Sequence, residues 1–363
     1  MVVVIHDQEA HSSLLVNGAF GVYAVGLFPC LLLGGLLADR FSSRPIMLLG
    51  SLLATLGNSI LLAWQTTGGL FIGRFVVGLG VGLTISVGTA WASALRGAQG
   101  AVWAGIALSF GFAVGPVASG AIAYISPTSN KTSLPFLAAI GVSVLAILIT
   151  LYIGTQRPHK NKPVDNTNTI SNQQTGSIAL SLMTSIPMAL WVFSSTAIAM
   201  ITLADRPSPQ FDLGVFFPGI ASLLAFTAAV VVQTLGRRYR WSPISGVFGA
   251  LLAASGFILG GIDAKAPNMW LFTTSVLLLG MAYGLCLREG LLDVEEFSPS
   301  YRRGTTLGIF YVFAYLGFAL PVLLEWAFPS GDYMPPLVIL GMLSVGSALI
   351  RVIQIRSGRL IRH

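Results

Sequence analysis

The sequence predicts an all-α polytopic membrane protein with about eleven transmembrane helices, and three observations support this fold class. Of the 363 residues, 54% are hydrophobic and only 9% are charged, whereas soluble proteins carry about 25% charged residues. The mean hydropathy is +0.80. The hydrophobic residues also form long runs, and a run of about 20 residues is long enough to cross a bilayer as a helix.

The predicted spans fall into two groups separated by one polar segment. This segment, TQRPHKNKPVDNTNTISNQQTG, is rich in Asn, Thr, Gln and Lys and lacks aromatic residues, which is typical of flexible linkers. Residues 1–155 are predicted to form a first helical bundle, 156–177 a cytoplasmic linker, and 178–363 a second bundle of six helices. The predicted spans are 15–38, 45–65, 69–94, 100–125, 134–154, 178–203, 212–235, 243–262, 268–287, 304–327 and 335–355.

The basic residues are distributed unevenly between the two ends of the predicted helices. If the first span runs inwards, most arginines lie at cytoplasmic ends and loops, and few basic residues, namely Lys131, Arg206 and Lys265, lie outside. Membrane proteins carry such an excess of Lys and Arg in their cytoplasmic loops. The bias predicts a multi-pass protein of the plasma membrane with a cytoplasmic C-terminus. It also explains the net charge of +7 without nucleic acid as a partner.

Three short segments in the first five spans combine glycines with a charged residue or a proline. They are GGLLADRFSSR at 34–44, RFVVGLGVG at 74–82 and GFAVGPVASG at 111–120. Each segment alone is a weak signal in a hydrophobic chain with 41 glycines, but their order along the chain is informative. The residues of interest in them are Gly35, Asp39, Arg40, Arg44, Arg74, Gly78, Gly82, Gly111, Gly115, Pro116 and Gly120.

In this order, the three segments resemble signatures of the major facilitator superfamily. The first is similar to the loop between that family's second and third helices, the second to its fourth helix, and the third to the fifth helix of proton-coupled drug antiporters. Ser42 and Ser43 replace a glycine and a basic residue of the first signature, and Ser119 replaces a glycine of the third. The resemblance covers essentially the whole chain. In this register the first predicted span corresponds to the family's second helix, so the family's first helix is expected to be missing.

The resemblance implies that Asp39 acts as a gating latch between the two bundles. Asp39 is expected to accept hydrogen bonds at the N-terminus of the penultimate helix, near residues 304–306, where a helix dipole stabilises a carboxylate by about 0.3–1 kcal/mol. Gly35, Arg40 and Arg44 belong to the same latch. The two arginines are expected to pair with Glu295 or Glu296. The alternative is that these charges are solvated anchors at the membrane surface.

Arg74 and the glycines receive their expected roles from the same signatures. A charge within a span costs about 2.5–3.5 kcal/mol, and the resemblance implies that Arg74 serves a proton path or the substrate cavity. The alternative is that its side chain reaches out to the lipid headgroups. The glycines of both segments and Pro116 are expected to allow close helix packing and a helix bend, and ordinary packing without a gating role is the alternative.

Polar and aromatic residues within the predicted spans are candidates for a substrate cavity between the bundles, where transporters bind their substrates. Tyr and Trp are also common at the membrane interface, so a position facing lipid is the alternative for each. The predicted spans carry no acid near their centres, because Glu289 and Glu325 fall at helix ends. The candidates are Asn17, Tyr23, Trp91, Ser109, Trp191, Tyr283, Tyr311 and Tyr315.

The sequence therefore predicts a secondary active transporter of a small molecule that works by alternating access as a monomer in lipid. Proton-coupled efflux of a small apolar compound is the leading interpretation, and an uncoupled facilitator or a truncated, non-transporting membrane protein are the alternatives. An enzyme is not expected, because no constellation of nucleophile, acid and base is found. No cofactor or metal is expected either. The polar group His6, Asp7, Glu9 and His11 is interpreted as a solvated tail.

Overall fold

The computed structural model describes residues 13–127, 133–153, 176–204, 217–263, 268–328 and 332–360, and these residues form helices without strands. The predicted linker, 156–177, lies almost entirely outside the described residues. The helices are α1 (Ser13–Arg40), α2 (Ser43–Ala63), α3 and α4 within the continuous run Thr67–Ile125, α5 (Ser133–Ile153), α6 (Ile178–Ala197), α7 (Phe217–Arg238), α8 (Ile244–Asp263), α9 (Met269–Phe297), α10 (Arg303–Tyr315), α11 (Leu320–Ala327) and α12 (Met334–Arg356).

The run Thr67–Ile125 is broken at Gly97. The backbone there has φ 55° and ψ −140°, a conformation that glycine adopts far more readily than other residues. A straight helix of 59 residues would be far longer than a bilayer is thick, because an α-helix rises about 1.5 Å per residue. The break therefore separates two membrane spans, which we label α3 (67–96) and α4 (98–125).

The number of membrane crossings agrees with the prediction. Ten helical segments in the described part of the chain are long and apolar enough to cross a membrane, and the one broken at Gly97 crosses twice. Helices α10 and α11, joined by a 3₁₀ turn at Leu316–Ala319, form a single span. Helix α6 continues as a π-helix over Ile198–Leu203. Each predicted span coincides with an observed one, which confirms the predicted fold class.

Helices α1 to α5 pack into a first group in which glycines allow close contact. Gly78 and Gly82 on α3 face the backbone of α1, so that a Cβ at Gly82 would lie 2.6 Å from the carbonyl oxygen of Leu27. Gly80 faces α2 in the same way, with its Cβ position 2.5 Å from the amide nitrogen of Ala54. Gly78 and Gly82 thus lie at close contacts between α3 and α1.

The glycines of α4 behave differently from this expectation. No described atom outside the local helix lies within 4 Å of a Cβ built at Gly111, Gly115 or Gly120, so these residues make no close helix contact here. Pro116 lies inside α4, and the non-helical residue of the Thr67–Ile125 run is Gly97 rather than a residue beside Pro116. Gly111, Gly115 and Gly120 are themselves exposed, so this face of α4 is open.

Helices α6 to α12 form a second group organised around α9. Helix α9 contacts α6, α7 and α8, and α12 packs on α8. The two groups meet where α1 crosses α10 and where α4 packs against α7 and α9. Large apolar side chains cover much of the outer surface, as expected for helices that face lipid. We call the end of the molecule that carries Arg40, Arg44, Arg96, Arg237 and Arg303 the arginine-rich end.

Candidate functional site

Asp39 joins the two helix groups at the arginine-rich end. It lies in the last turn of α1, and its carboxylate accepts hydrogen bonds from the N-terminus of α10. The Gly304 N–H donates to Oδ1 at 2.7 Å, while the N–H and the hydroxyl of Thr305 donate to Oδ2 at 2.7 and 2.6 Å. The first N–H groups of a helix lack partners within the helix, and the helix dipole favours an anion there. The contact expected for Asp39 is present.

Two glycines allow this contact by letting α1 and α10 approach closely. A Cβ at Gly35 would lie 2.8 Å from the carbonyl carbon of Gly304, and a Cβ at Gly304 would lie 2.5 Å from the oxygen of Gly35. One turn further along α10, a Cβ at Gly308 would lie 2.6 Å from the oxygen of Leu31. The crossing therefore has no space for side chains, which places the Asp39 carboxylate directly over the end of α10.

The arginines of the same segment are arranged differently from the expectation. Arg44 donates to the Leu151 carbonyl oxygen at 3.0 Å, which links α2 to α5 within the first group. Arg40 is exposed at the end of α1. Glu295 forms an ion pair with Arg303 at 2.9 Å and accepts a short hydrogen bond from Ser93 on α3. Glu295 thus joins the groups through Ser93.

A second set of polar contacts between the groups lies deeper in the molecule. Thr89 on α3 is hydrogen-bonded to the Tyr311 hydroxyl on α10 at 3.0 Å. On α4, Ser109 accepts from the amide of Gln233 at 2.7 Å and contacts the Tyr283 hydroxyl at 3.5 Å. These side chains come from α3, α4, α7, α9 and α10. The structure therefore brings together three of the predicted cavity residues, Ser109, Tyr283 and Tyr311.

Aromatic rings fill the space beside these polar contacts. Phe193 on α6 lies 4.2 Å from Tyr315 and 5.5 Å from Tyr283 between ring centroids, and Phe226 on α7 lies 5.0 Å from Tyr283. These rings are almost completely buried. The predicted residue Tyr315 thus belongs to the same region, whereas Phe193 and Phe226 were not predicted, because phenylalanine is common throughout hydrophobic spans.

The remaining predicted residues lie at the edge of this region or outside it. Tyr23 on α1 packs against the core cluster that contains Tyr315, and Gly78, one turn from Arg74 on α3, contacts the Tyr23 backbone, so these residues lie at one edge of the region. Trp191 packs against Phe257 on α8, at 6.0 Å between ring centroids, inside the second group. Trp91 is partly exposed on α3, and the side chain of Asn17 lies outside those that the structure describes.

A buried cluster of four charges in the second group was missed by the sequence interpretation. Glu289 and Asp293 on α9 and Arg351 on α12 have side chains with 0% exposure, and that of Arg288 is 5% exposed. Arg351 pairs with both acids and donates to Glu289 at 3.1 Å. Arg288 also pairs with Glu289 and donates to the Gly236 carbonyl oxygen on α7 at 3.0 Å.

This cluster corrects the predicted position of Glu289 at the end of its helix, whereas the centre of α9, near Tyr283, carries no acid. Helix α9 extends to Phe297, ten residues beyond the predicted end at 287, so Glu289 and Asp293 lie inside it. Their spacing of four residues, which places both on one helix face, was the available signal. The cluster is balanced in charge and bonded to α6, α7, α8 and α12. Such an arrangement fixes helices relative to one another, since buried charges need partners.

Comparison with known proteins identifies similar sequences. The model of the family described as Major Facilitator Superfamily matches residues 2–321. The tetracycline resistance protein, class B, of Escherichia coli is 24% identical over 291 residues, which cover 76% of this chain and 69% of that protein. The class C protein of Escherichia coli is 31% identical over 211 residues, which cover 52% of this chain and 50% of that protein.

Solved structures with the same fold are also found. The human organic anion transporter MFSD10 has a TM-score of 0.69 and 18% identity, and the match covers 92% of this chain and 83% of that chain. The proton:xylose symporter XylE has a TM-score of 0.66 and 16% identity, with 92% and 85% covered. At these identities the likeness concerns the fold alone.

Proposed function

As a member of the Major Facilitator Superfamily, this chain is a membrane transporter, and we propose that it exports a small apolar compound in exchange for protons by alternating access. The two helix groups would rock about the region between them, which is the general arrangement of transporters built from two repeated halves. The substrate would reach that region from the arginine-rich end, which we infer to be cytoplasmic at the plasma membrane from the excess of basic residues there.

The observation that carries this proposal is the contact between Asp39 and the N-terminus of α10. It joins two separately packed helix groups at one end through three hydrogen bonds. Hydrogen bonds to a charged group are worth about 1.5–3 kcal/mol each. Asp39 is only partly buried, so water replaces them when the groups separate and the net cost of opening is smaller than their sum. A few kcal/mol is the size of difference that lets a protein populate two conformations. Asp39 would thus act as a reversible latch.

The direction of transport is proposed from two likenesses. The segment GFAVGPVASG resembles a signature of drug antiporters, and the chain is similar to tetracycline resistance proteins. The apolar nature of the compound is supported by the aromatic rings of the second group that lie beside the polar contacts between the groups. We propose that a monomer surrounded by lipid carries out this transport.

An uncoupled facilitator is the second candidate, and one observation favours it. The fully buried acids Glu289 and Asp293 are ion-paired with Arg288 and Arg351, and a balanced cluster of this kind holds its charges rather than exchanging protons with a cavity. Proton coupling would then depend on Arg74 and Tyr23 at the edge of the central region. The two candidates differ in whether a pH gradient drives accumulation.

The test is transport by the purified full chain in proteoliposomes. Tetracycline and neutral fluorescent aromatic compounds are supplied outside, with and without an imposed pH gradient of either sign. Coupled transport predicts accumulation above equilibrium that a protonophore abolishes, whereas a facilitator equilibrates the compound regardless of the gradient. Empty liposomes and the Asp39→Asn variant are the controls. Transport indistinguishable from that of empty liposomes for every compound would contradict the proposal and favour a non-transporting membrane protein.

A further inference from the structure

Phe112 of the first helix group inserts among aromatic rings of the second. Its ring stacks on Phe226 at 5.1 Å between centroids and meets Phe193 edge-on at 5.5 Å and Phe318 at 6.4 Å. Phe112 lies near the middle of α4, and its own carbonyl oxygen accepts a hydrogen bond from Ser222 on α7 at 2.9 Å. When the two groups move apart, Phe112 leaves with α4, and its place between Phe193 and Phe226 becomes available.

The rings around Phe112 come from five elements of the second group, namely α6, α7, α9, α10 and the 3₁₀ turn at Leu316–Ala319. Tyr283 is set edge-on to both Phe226 and Phe193, and Phe318 stacks on Phe193 at 4.8 Å. Rings at such distances and angles attract one another beyond simple burial of area. A flat aromatic molecule can make the same contacts as the Phe112 ring. We call Phe193, Phe226, Tyr283, Tyr315 and Phe318 the aromatic cage.

Two buried polar atoms near the cage have no hydrogen-bond partner among the described residues. They are Oε1 of Gln233, a residue with 0% exposure, and the hydroxyl of Tyr315, a residue with 3% exposure. Gln233 is linked to Tyr283 of the cage through Ser109. Its Oε1 faces Gly105 of α4, so this atom becomes accessible when α4 moves away. A buried polar atom without a partner costs about 1–3 kcal/mol, and each such atom in a native protein calls for an explanation. Gln233 offers an acceptor and Tyr315 offers a donor. A ligand in the cage that carries one N–H or O–H and one carbonyl group would satisfy both.

The charges near the cage disfavour a cation. Arg74 lies one turn from Gly78, which contacts the backbone of Tyr23 at the edge of this core, so the charged side chain at that edge is basic. Glu289 and Asp293 are engaged with Arg351, and Asp39 is engaged with α10. An aromatic face attracts a cation by about 0.5–2 kcal/mol, but burying an ion without a counterion costs several kcal/mol. The cost of removing a cation from water therefore exceeds its attraction to the aromatic rings.

From these observations, and resting on the transport function proposed above, we propose that the cage binds a planar aromatic substrate that carries no positive charge. The substrate ring takes the position of Phe112 between Phe193 and Phe226, and its polar groups bond to Gln233 and Tyr315. The substrate class is thus defined by a flat aromatic ring, by the absence of a positive charge, and by one hydrogen-bond donor and one acceptor.

A matched pair of fluorescent compounds tests the class. Acridone is a neutral three-ring compound with an N–H and a carbonyl group, and 9-aminoacridine has a ring system of the same size but is a cation at neutral pH. Binding of each to the full chain in lipid nanodiscs is measured by fluorescence anisotropy, and transport of each is measured in proteoliposomes. We expect acridone to bind about tenfold more tightly or better. Equal or tighter binding of 9-aminoacridine, or no binding of either compound, would overturn the proposal.

A matched pair of variants tests whether the ligand binds in the cage or elsewhere. Phe226→Leu should weaken acridone binding about fivefold or more, whereas Phe257→Leu, a buried ring of α8 in the same helix group, should not. Thermal unfolding of both variants shows whether they fold. Gln233→Glu adds a carboxylate beside the cage and should shift the preference towards 9-aminoacridine, which loss of packing alone would not do. An unchanged preference in the Gln233→Glu variant would also overturn the proposal.

The measurements separate failure of this inference from failure of the proposed function. Acridone that binds in the cage while none of the tested compounds is transported would contradict the transport function and leave the binding site standing. Transport of 9-aminoacridine in preference to acridone would leave the transport function standing and reject the substrate class.

Discussion

At the residue scale, Asp39 is the side chain whose chemistry matters most for motion. Replacing it with Asn keeps the size but removes the charge that favours the N-terminus of α10, and it puts an NH₂ group where a second acceptor is needed for Thr305. We expect Asp39→Asn to slow transport about tenfold or more at normal expression. The measurement is the initial rate in proteoliposomes, normalised to protein content.

Thr305→Val is the matched control for Asp39. It removes one of the three hydrogen bonds, that of the hydroxyl, and leaves both backbone donors in place. Its effect should therefore be clearly smaller than that of Asp39→Asn. Equal rates for Asp39→Asn and the natural chain would show that the latch has no role in transport.

Arg351 illustrates a different use of charge, because it is fully buried between two acids. Truncating one partner of a buried ion cluster leaves an uncompensated charge and costs about 3–5 kcal/mol. Arg351→Met should thus lower the unfolding temperature in detergent substantially. Arg356→Met, at the exposed end of the same helix, should change it little. Similar unfolding temperatures for the two variants would contradict a structural role for the cluster.

At the element scale, α1 and α10 can cross closely only because glycines leave no side chains between them. The glycines on the open face of α4 have space around them. Gly35→Ala would place a Cβ 2.8 Å from the carbonyl carbon of Gly304, and such overpacking costs about 1–3 kcal/mol. Gly115→Ala meets no described atom and exchanges glycine for a better helix former. We expect Gly35→Ala to impair transport and Gly115→Ala to preserve or slightly raise thermal stability.

Transport rate and unfolding temperature are both measured for the Gly35→Ala and Gly115→Ala variants. Transport rates and unfolding temperatures are compared at matched protein amounts. If Gly115→Ala abolished transport in a stable protein, the glycines of α4 would have a role in a conformation other than the one described. If Gly35→Ala transported normally, the close crossing would be dispensable.

The extent of the helices could be read from the sequence except where charges are buried. Hydropathy located each span because lipid selects apolar residues directly. It ended α9 at 287, since Arg288, Glu289 and Asp293 lower the local hydropathy, whereas the helix reaches Phe297. The compensating charge, Arg351, lies 58 positions from Asp293 in the sequence. No local pattern contains that pairing.

The candidate site was predictable to a similar degree. Asp39 was located through its resemblance to a family signature, and Ser109, Tyr283 and Tyr311 because polar and hydroxyl-bearing residues stand out in apolar spans. Phe112, Phe193 and Phe226 were not distinguishable, because the sequence contains 21 phenylalanines and only tertiary packing shows which of them meet. Gln233 was not predicted, because it lies near the end of its helix, where polar residues do not stand out.

At the scale of the whole molecule, the arginine-rich end is closed by contacts from α1 and α3 to α9 and α10. Ser93 and Glu295 are bonded across this closure. Replacing both with Cys in a chain that carries Cys30→Ala and Cys286→Ala should allow an oxidant to join the two groups. We expect oxidation to stop transport and a reducing agent to restore it. Each single Cys variant is the control, and continued transport by the cross-linked protein would argue against rocking of the two groups.

The buried charge cluster also bears on how the chain is assembled during synthesis. Helix α9 enters the membrane with Asp293 while Arg351, its partner 58 residues later, has not yet been made. An unpaired Asp costs about 2.5–3.5 kcal/mol at the centre of a span and less towards its end, where Asp293 lies. The arrival of α12 supplies the partner charge, so we expect the packing of α9 to be completed only when the last helix is in place. A chain that stopped before α12 would leave Asp293 without Arg351.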